Sequence, residues 1–428
     1  MKLSHLRLPI ACLALLSLGA AAQTTWPDYM AQLRAGPSES AVQAMLPDDS
    51  RPQPDPALAP DLARWQGVWK GWACFLRRCD IAIAVDKLTP EGATVDYAAG
   101  NAQQGRINAH AEGRFQDGEL SVRLHTGARL ALRLRSDGDM EMSVWKPDTQ
   151  LLSAGVLSRN PLASPYARHV ERVATPWTDD AGRPQTLEMV VYRPRGTGPF
   201  PTVLMNHGST GMGRDPALFG LTWASPEIGE YFAARGWQVL FPQRRGRGGS
   251  DGVYDEGFSA DRAQGYSCDA GSATAGFDRA MQDLEVVLAH VQTRPDVDAR
   301  RLLVGGVSRG GILAVALAGA HPERFEGVVN FVGGWIGQGC KTAPTINPAL
   351  MQRGAAFEGP MLWLYGDQDP YYRLSHSRAN FDAFLQAGGR GEFLSFRPPA
   401  GMNGHMIFLS PGLWSEALDN YLARVDRR

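Results

Sequence analysis

The chain lacks any surplus of charge: across 428 residues, 43 Lys and Arg face 44 Asp and Glu, a formal −1. A protein that grips nucleic acid by neutralising phosphates carries a basic excess, so that class of partner is not expected. Charged residues make up only 20%, whereas hydrophobic ones reach 44%, a balance that excludes a mostly disordered chain. Long apolar runs are missing too. The run from Leu8 to Leu18 falls short of the ~20 residues a membrane helix needs, and no later segment qualifies, so no membrane span is expected. Cysteine is scarce, with five in all, and neither a paired Cys-x-x-Cys nor a His-x-x-x-His accompanies them. Zinc is therefore the weaker reading of these cysteines, and no metal is expected. No Gly-x-Gly-x-x-Gly follows the first strand of a βαβ unit, so no dinucleotide cofactor is expected either. Glycine alone is in excess, at 48 residues without a Gly-X-Y period, which assigns it to tight turns and loops rather than collagen.

What is present begins with an address label. Lys2 and Arg7 precede the apolar run, and Ala20-Ala21-Ala22 supplies small residues before Gln23. Residues 1–22 read as a secretory signal peptide cut after Ala22, giving an exported, periplasmic or secreted protein. A lipid anchor on Cys12 is the weaker reading, because Pro9-Ile10-Ala11 is a poor approach to a lipobox. Removal of Cys12 leaves Cys74, Cys79, Cys268 and Cys340, an even number that permits two disulfides in an oxidising compartment. The spacing leaves three pairings open; the local one, Cys74–Cys79 with Cys268–Cys340, is the expectation.

Composition then divides the chain. Residues 23–60 form an N-terminal segment with short helical stretches expected at Tyr29–Leu33 and Val42–Leu46. It ends in a linker, 47–60, that holds five prolines and cannot join a helix or sheet. Across 61–160 the period is two: Ile81, Ile83 and Val85; Leu120, Val122 and Leu124; Leu130, Leu132 and Leu134; Met140, Met142 and Val144. Strand side chains alternate between faces, so each set lines one buried face. Asp117-Gly118 and Asp137-Gly138 between such runs are hairpin signals. An antiparallel β domain of six to eight short strands is expected, a small barrel or a folded sheet serving as an accessory domain. Its opening, Trp65-Gln-Gly-Val-Trp-Lys-Gly-Trp, resembles the Gly-x-Trp start of lipocalin-like barrels. After a second linker (160–165), the segment 165–428 alternates continuous apolar strands with helical stretches. Leu187–Tyr192, Pro201–Asn206, Trp237–Phe241, Arg301–Gly306, Val328–Val332, Met361–Tyr365 and Phe393–Phe396 read as strands of a mostly parallel sheet with helices on both faces.

The chemistry sits in this α/β segment. Arg301-Leu-Leu-Val-Gly-Gly-Val-Ser308-Arg-Gly-Gly is a strand, a Gly-x-Ser-x-Gly pentapeptide and the start of a helix. Serine on a sharp strand-to-helix turn projects its hydroxyl above the sheet, and flanking glycines remove colliding side chains. A nucleophilic serine needs a base, and the base an orienting carboxylate. Met361-Leu-Trp-Leu-Tyr-Gly-Asp-Gln-Asp-Pro ends a strand with two carboxylates. Asp369, in the loop beyond the strand, is the chosen partner, and Asp367, nearer the strand, is the alternative. Of the histidines that follow, His405 in Gly401-Met-Asn-Gly-His-Met-Ile-Phe takes the base role, and His376, in a helix-like stretch, is the alternative.

This order of Ser, Asp and His resembles the α/β-hydrolase superfamily over about residues 169–428. The resemblance implies an oxyanion hole: Asn206-His207-Gly208-Ser209 looks like the family's His-Gly segment, so the backbone N–H groups of Ser209 and Arg309 would hold the oxyanion, with His207 outside the triad. Gly-Val-Ser-Arg-Gly-Gly and Pro242-Gln-Arg-Arg-Gly-Arg-Gly-Gly-Ser-Asp-Gly look like dienelactone-hydrolase-like and prolyl-oligopeptidase-like bacterial proteins. The typical dienelactone enzyme uses cysteine where this chain has Ser308, and the accessory segment is too short for an oligopeptidase propeller, so neither substrate carries over. Arg244, Arg245 and Trp335 are the candidate substrate-binding residues, and Trp335 with 337–353 is the candidate cap, clamped by Cys268–Cys340. The expectation is a serine hydrolase of small or polymeric carboxylic esters that needs no cofactor. A peptidase or amidase of the same mechanism, and a non-catalytic binding protein on a hydrolase scaffold, are the alternatives.

Overall fold

The computed structural model describes residues 33–50, 52–146, 151–159, 166–398 and 402–425; the leader, Cys12 and the linker at 160–165 lie outside them. A short helix α1 (Pro60–Ala63) precedes eight consecutive antiparallel strands, β1 (Gly67–Ala73), β2 (Cys79–Asp86), β3 (Gly92–Asn101), β4 (Gly105–Gln116), β5 (Glu119–Arg123), β6 (Arg129–Leu134), β7 (Met140–Lys146) and β8 (Leu151–Ser158). They close into a barrel through the seam between β1 and β8, where Lys70 pairs with Ser158. Alternation is the cause: Ile81, Ile83, Leu120, Leu130, Leu132 and Met142 point inward and fill the interior around Trp69. Asp117-Gly118 joins β4 to β5 with both residues at positive φ (51° and 77°), the geometry that a two-residue hairpin of this twist requires.

The second domain is one eight-stranded sheet, in the order β16-β15-β14-β13-β11-β12-β10-β9. Its strands are β9 (Tyr166–Thr178), β10 (Pro184–Pro194), β11 (Phe200–Asn206), β12 (Gln238–Pro242), β13 (Val297–Val307), β14 (Gly327–Phe331), β15 (Met361–Gly366) and β16 (Glu392–Phe396). The sheet is mixed: β10 runs against both of its neighbours, β9 and β12, while β11 to β16 pair in parallel. The seven strands read from the sequence correspond to β10–β16. β9 carries no apolar run because most of its length is exposed edge, and the Asp179–Arg183 turn that makes β9 and β10 a hairpin lies beside it. Helices α2 (Pro226–Ala233), α3 (Ala270–Gln292), α4 (Arg309–Ala320), α5 (Ala343–Gln352), α6 (Leu374–Gln386) and α7 (Pro411–Val425) pack against the sheet. On α3 the residues Phe277, Leu284, Leu288 and Val291 are buried, and on α7 Trp414, Leu418, Tyr421 and Val425 are.

Residues 33–50 contain no helix, which corrects the expectation at Val42–Leu46. Five residues cannot sustain a helix alone, and the barrel offers better partners. Ser38 Oγ donates to Asp80 Oδ1 at 2.6 Å and the Ala44 N–H to Asp80 Oδ2 at 2.8 Å. The same strap reaches the other domain, where Tyr192 donates its hydroxyl to Glu39 at 2.7 Å and Arg168 pairs with that carboxylate. The structure forms both expected disulfides, Cys74–Cys79 and Cys268–Cys340, with Cα separations of 5.4 and 5.3 Å. Among the described residues no helix is long and apolar enough to cross a membrane.

Candidate active site

Strand β13 ends at Val307 and helix α4 begins at Arg309, leaving Ser308 alone on the turn at φ 57°, ψ −121°. Side chains other than glycine rarely hold that backbone, and the two glycines of the pentapeptide are there because nothing larger fits. A Cβ on Gly306 would lie 2.2 Å from the Gly310 carbonyl, and one on Gly310 would lie 2.1 Å from the Asn206 oxygen. The Ser308 N–H donates to Phe331 O on β14 at 2.9 Å, tying the turn to the centre of the sheet.

The other two candidate residues come from loops beyond β15 and β16. Asp369 is buried, and its two oxygens are divided: Oδ1 accepts the N–H groups of Tyr371 (2.7 Å) and Tyr372 (3.0 Å), while Oδ2 faces His405 Nδ1 at 2.8 Å. Asn403 caps the backbone of His405 at 3.0 Å, and Gly404 packs so closely on Gly366 that a Cβ there would meet its oxygen at 2.2 Å. That contact brings the histidine loop onto the end of β15. Asp367 is exposed and accepts the N–H of its neighbour Gln368 at 2.8 Å. His376 Nε2 lies 2.9 Å from Asn347 Nδ2, and burial lowers its pKa, so it reads as an acceptor on a packed helix.

Ser308 and His405 share the wall of one cavity of about 630 Å³, together with Ser209, Arg309 and Trp335. Among the described residues the N–H groups of Ser209 and Arg309 donate to nothing. The structure does not bring Arg244 or Arg245 to that cavity, which corrects their expected place at the substrate. Arg244 is buried, donating to Glu256 Oε1 at 2.5 Å and to His207 O at 2.9 Å. Arg245 pairs with Asp283 at 2.5 Å and lies over the Trp177 ring. Their loop turns inward because buried carboxylates wait behind it.

Glu256 is the residue that motif reasoning missed. It accepts from Arg244, from Tyr254 at 2.9 Å and from Arg309 Nη1 at 3.4 Å, so it anchors the residue that follows the serine. Burial alone would raise its pKa; Arg244 and Arg309 more than offset that and hold the carboxyl below its ordinary value. His207 is kept neutral by burial and by Arg244 and Arg247, with Nδ1 bonded to Gly208 O at 2.7 Å and Nε2 accepting the Arg244 N–H at 3.0 Å. Buried and bonded through both ring nitrogens, it holds the loop. Tyr372 was missed as well: its hydroxyl neighbours Ser308, and burial raises its pKa, keeping it a phenol. Its sequence signal was faint, a Tyr-Tyr pair directly after Asp369-Pro370.

Residues 187–392 match the model of the dienelactone hydrolase family. That segment belongs to the dienelactone hydrolase family. The matched span of this family domain covers β10 to the start of β16, and with it Ser308 and Asp369. Acyl-protein thioesterase 1 homolog 1 of Dictyostelium discoideum is 24% identical over 124 residues, which are 29% of this chain and 51% of that protein. The chain thus spans about half the length of that curated relative. Three solved structures are similar. An esterase of Pyrococcus furiosus is 15% identical, covering 60% of this chain and 90% of its own, with a TM-score of 0.42. A dienelactone hydrolase-like promiscuous phosphotriesterase from metagenomic libraries is 18% identical, covering 60% and 99%, with a TM-score of 0.42. Est1E of Butyrivibrio proteoclasticus, with ferulic acid bound, is 13% identical, covering 60% and 100%, with a TM-score of 0.42.

Proposed function

We propose that the protein is an exported serine hydrolase of carboxylic esters. The observation that carries this reading is the hydrogen bond between buried Asp369 and His405 at the wall of a cavity that also holds Ser308 on its strained turn. Ser308 Oγ attacks the acyl carbonyl while His405 Nε2 takes the serine proton. Asp369 holds the ring by Nδ1 and stabilises the imidazolium. The Ser209 and Arg309 N–H groups receive the charge that develops on the carbonyl oxygen, at the N-terminus of α4. The ester C–O bond then breaks, and the alcohol leaves with the proton from His405. Water, deprotonated by the same imidazole, releases the acid and restores the serine. Export is supported by the leader-like start and by the two disulfides.

The test is turnover of a panel of p-nitrophenyl esters alongside a peptide library. The wild type should cleave esters, and Ser308→Ala should lose about 10⁴-fold or more. Equal rates for the two proteins would overturn the nucleophile, and cleavage confined to peptides would overturn the ester assignment.

A further inference from the structure

One loop of the barrel domain reaches out of the barrel to the other domain. Between β1 and β2 the chain leaves the sheet at Cys74 and rejoins it at Cys79, where the two close a covalent ring. Inside that ring Cys74, Leu76 and Arg77 all sit at positive φ (64°, 55° and 53°). A residue other than glycine persists in that conformation only where its surroundings over-determine it. Here the other domain does so. Leu76 is 2% exposed and belongs to the hydrophobic core built around the hydrolase sheet. Arg77 is equally buried and forms a two-pronged ion pair with Glu230 on α2, the second prong at 2.7 Å. Arg78 donates to the carbonyl of Thr222, the residue before Trp223.

Phe75 is what this anchoring presents. The residue remains 44% exposed, its ring meets Phe408 edge-on at 6.2 Å between centroids, and it lines the cavity that holds Ser308 and His405. Phe408 lies one turn beyond His405 and is followed by Trp223, 6.1 Å away, on the same wall. A lone exposed phenylalanine is ordinary. One held over an active-site cavity by a cross-linked, strained and doubly anchored loop is placed there.

We propose that the barrel is a specificity domain: it supplies Phe75 as the end of an aromatic wall, Phe75–Phe408–Trp223, that receives a bulky apolar or aromatic portion of the substrate. The proposal rests on the serine-hydrolase reading above. The wall is apolar, and an aromatic group buried against such rings gains both area and favourable ring geometry. The substrate class is therefore an ester bearing an aromatic or large apolar group.

The experiment uses the full chain and two fluorophosphonate probes, one with an ethyl substituent and one with a bulky aromatic substituent. Each forms a Ser308 Oγ–P bond with loss of fluoride, and His405 takes the serine proton. The readout is the ratio of the two labelling rates, with a thermal midpoint measured beside it. Phe75→Ala should lower the bulky-to-small ratio about tenfold, the scale of one apolar pocket contact. Phe75→Leu should lower it less, and it serves as the readout should the alanine protein fail to fold. A ratio within twofold of wild type in a folded variant overturns the proposal while leaving the serine-hydrolase reading intact. Wild-type protein that takes up neither probe overturns both.

Discussion

Replacing Glu256 with Gln should cost the fold roughly a fifth or more of its stability. The side chain is 2% exposed and lies between two guanidinium groups that are themselves 2% and 3% exposed. Gln preserves the shape and one acceptor oxygen, so Tyr254 can still donate. The charge disappears, however, and Arg244 and Arg309 remain buried without a counter-ion. Removing one member of a buried pair costs about 3–5 kcal/mol, against a typical domain stability of about 5–15 kcal/mol. Urea denaturation followed by tryptophan fluorescence at pH 7 reads the difference. The same experiment repeated in acid checks the cause. Glu256 is held below its ordinary 4.5 in the folded protein, so its contribution is fully present above that value and is lost as pH falls through the folded pKa. The gap between wild type and Glu256→Gln should therefore narrow on acidification. An unchanged midpoint at pH 7, or a gap that stays constant into acid, would refute the argument.

Asp369→Asn keeps the geometry but presents the wrong hydrogen-bonding partner to His405 Nδ1, so kcat should fall roughly 10⁴-fold. Asp367→Asn, altering an exposed carboxylate, should stay within about twofold; steady-state kinetics on one ester separates the two, and equal losses would return the role to an open question between them. Cys268 and Cys340 are 72 residues apart. Replacing both with serine should lower stability by about 4 kcal/mol on the chain-entropy scale. A melting temperature indifferent to that change and to added reductant would sink the estimate.

Much of the larger domain was legible because its strands are continuous apolar runs and the strand-to-helix turn at Ser308 carries its own packing logic in Gly306 and Gly310. That Asp369 rather than Asp367 faces His405 was legible for the same kind of reason, since a residue beyond the strand end can turn back while one at the strand end bonds locally. β9 escaped notice because an exposed edge strand has no reason to be apolar, and the antiparallel run of β10 was not legible because hydrophobic runs carry no polarity. The arginines after β12 misled for a related reason. Clustered charge in a loop at the mouth of a sheet implies a ligand only if nothing inside the protein answers it, and Glu256 and Asp283, distant in sequence from the motif, do. Phe75 could not be read at all. Its place on the cavity wall depends on two domains meeting, and no local pattern around Cys74 and Cys79 records where the loop they close will insert.

The barrel's closure has an effect on the rest of the molecule. A cylinder of strands offers no unsatisfied rim to another polypeptide, so the outermost ladders of the hydrolase sheet, β9 and β16, inherit that hazard. β9 is the longer, thirteen residues, and Val170 upon it is 51% exposed. Its flanks are studded with polar clasps: the ion pairs of Arg168 with Glu39 of the strap and of Arg172 with Asp251 at 3.0 Å, and the hydrogen bond between His169 and Glu171. An invading strand would have to unfasten them and bury the charges of the two ion pairs. The same residues that hid β9 from a hydrophobicity reading are those that keep copies of the protein from zipping together along it.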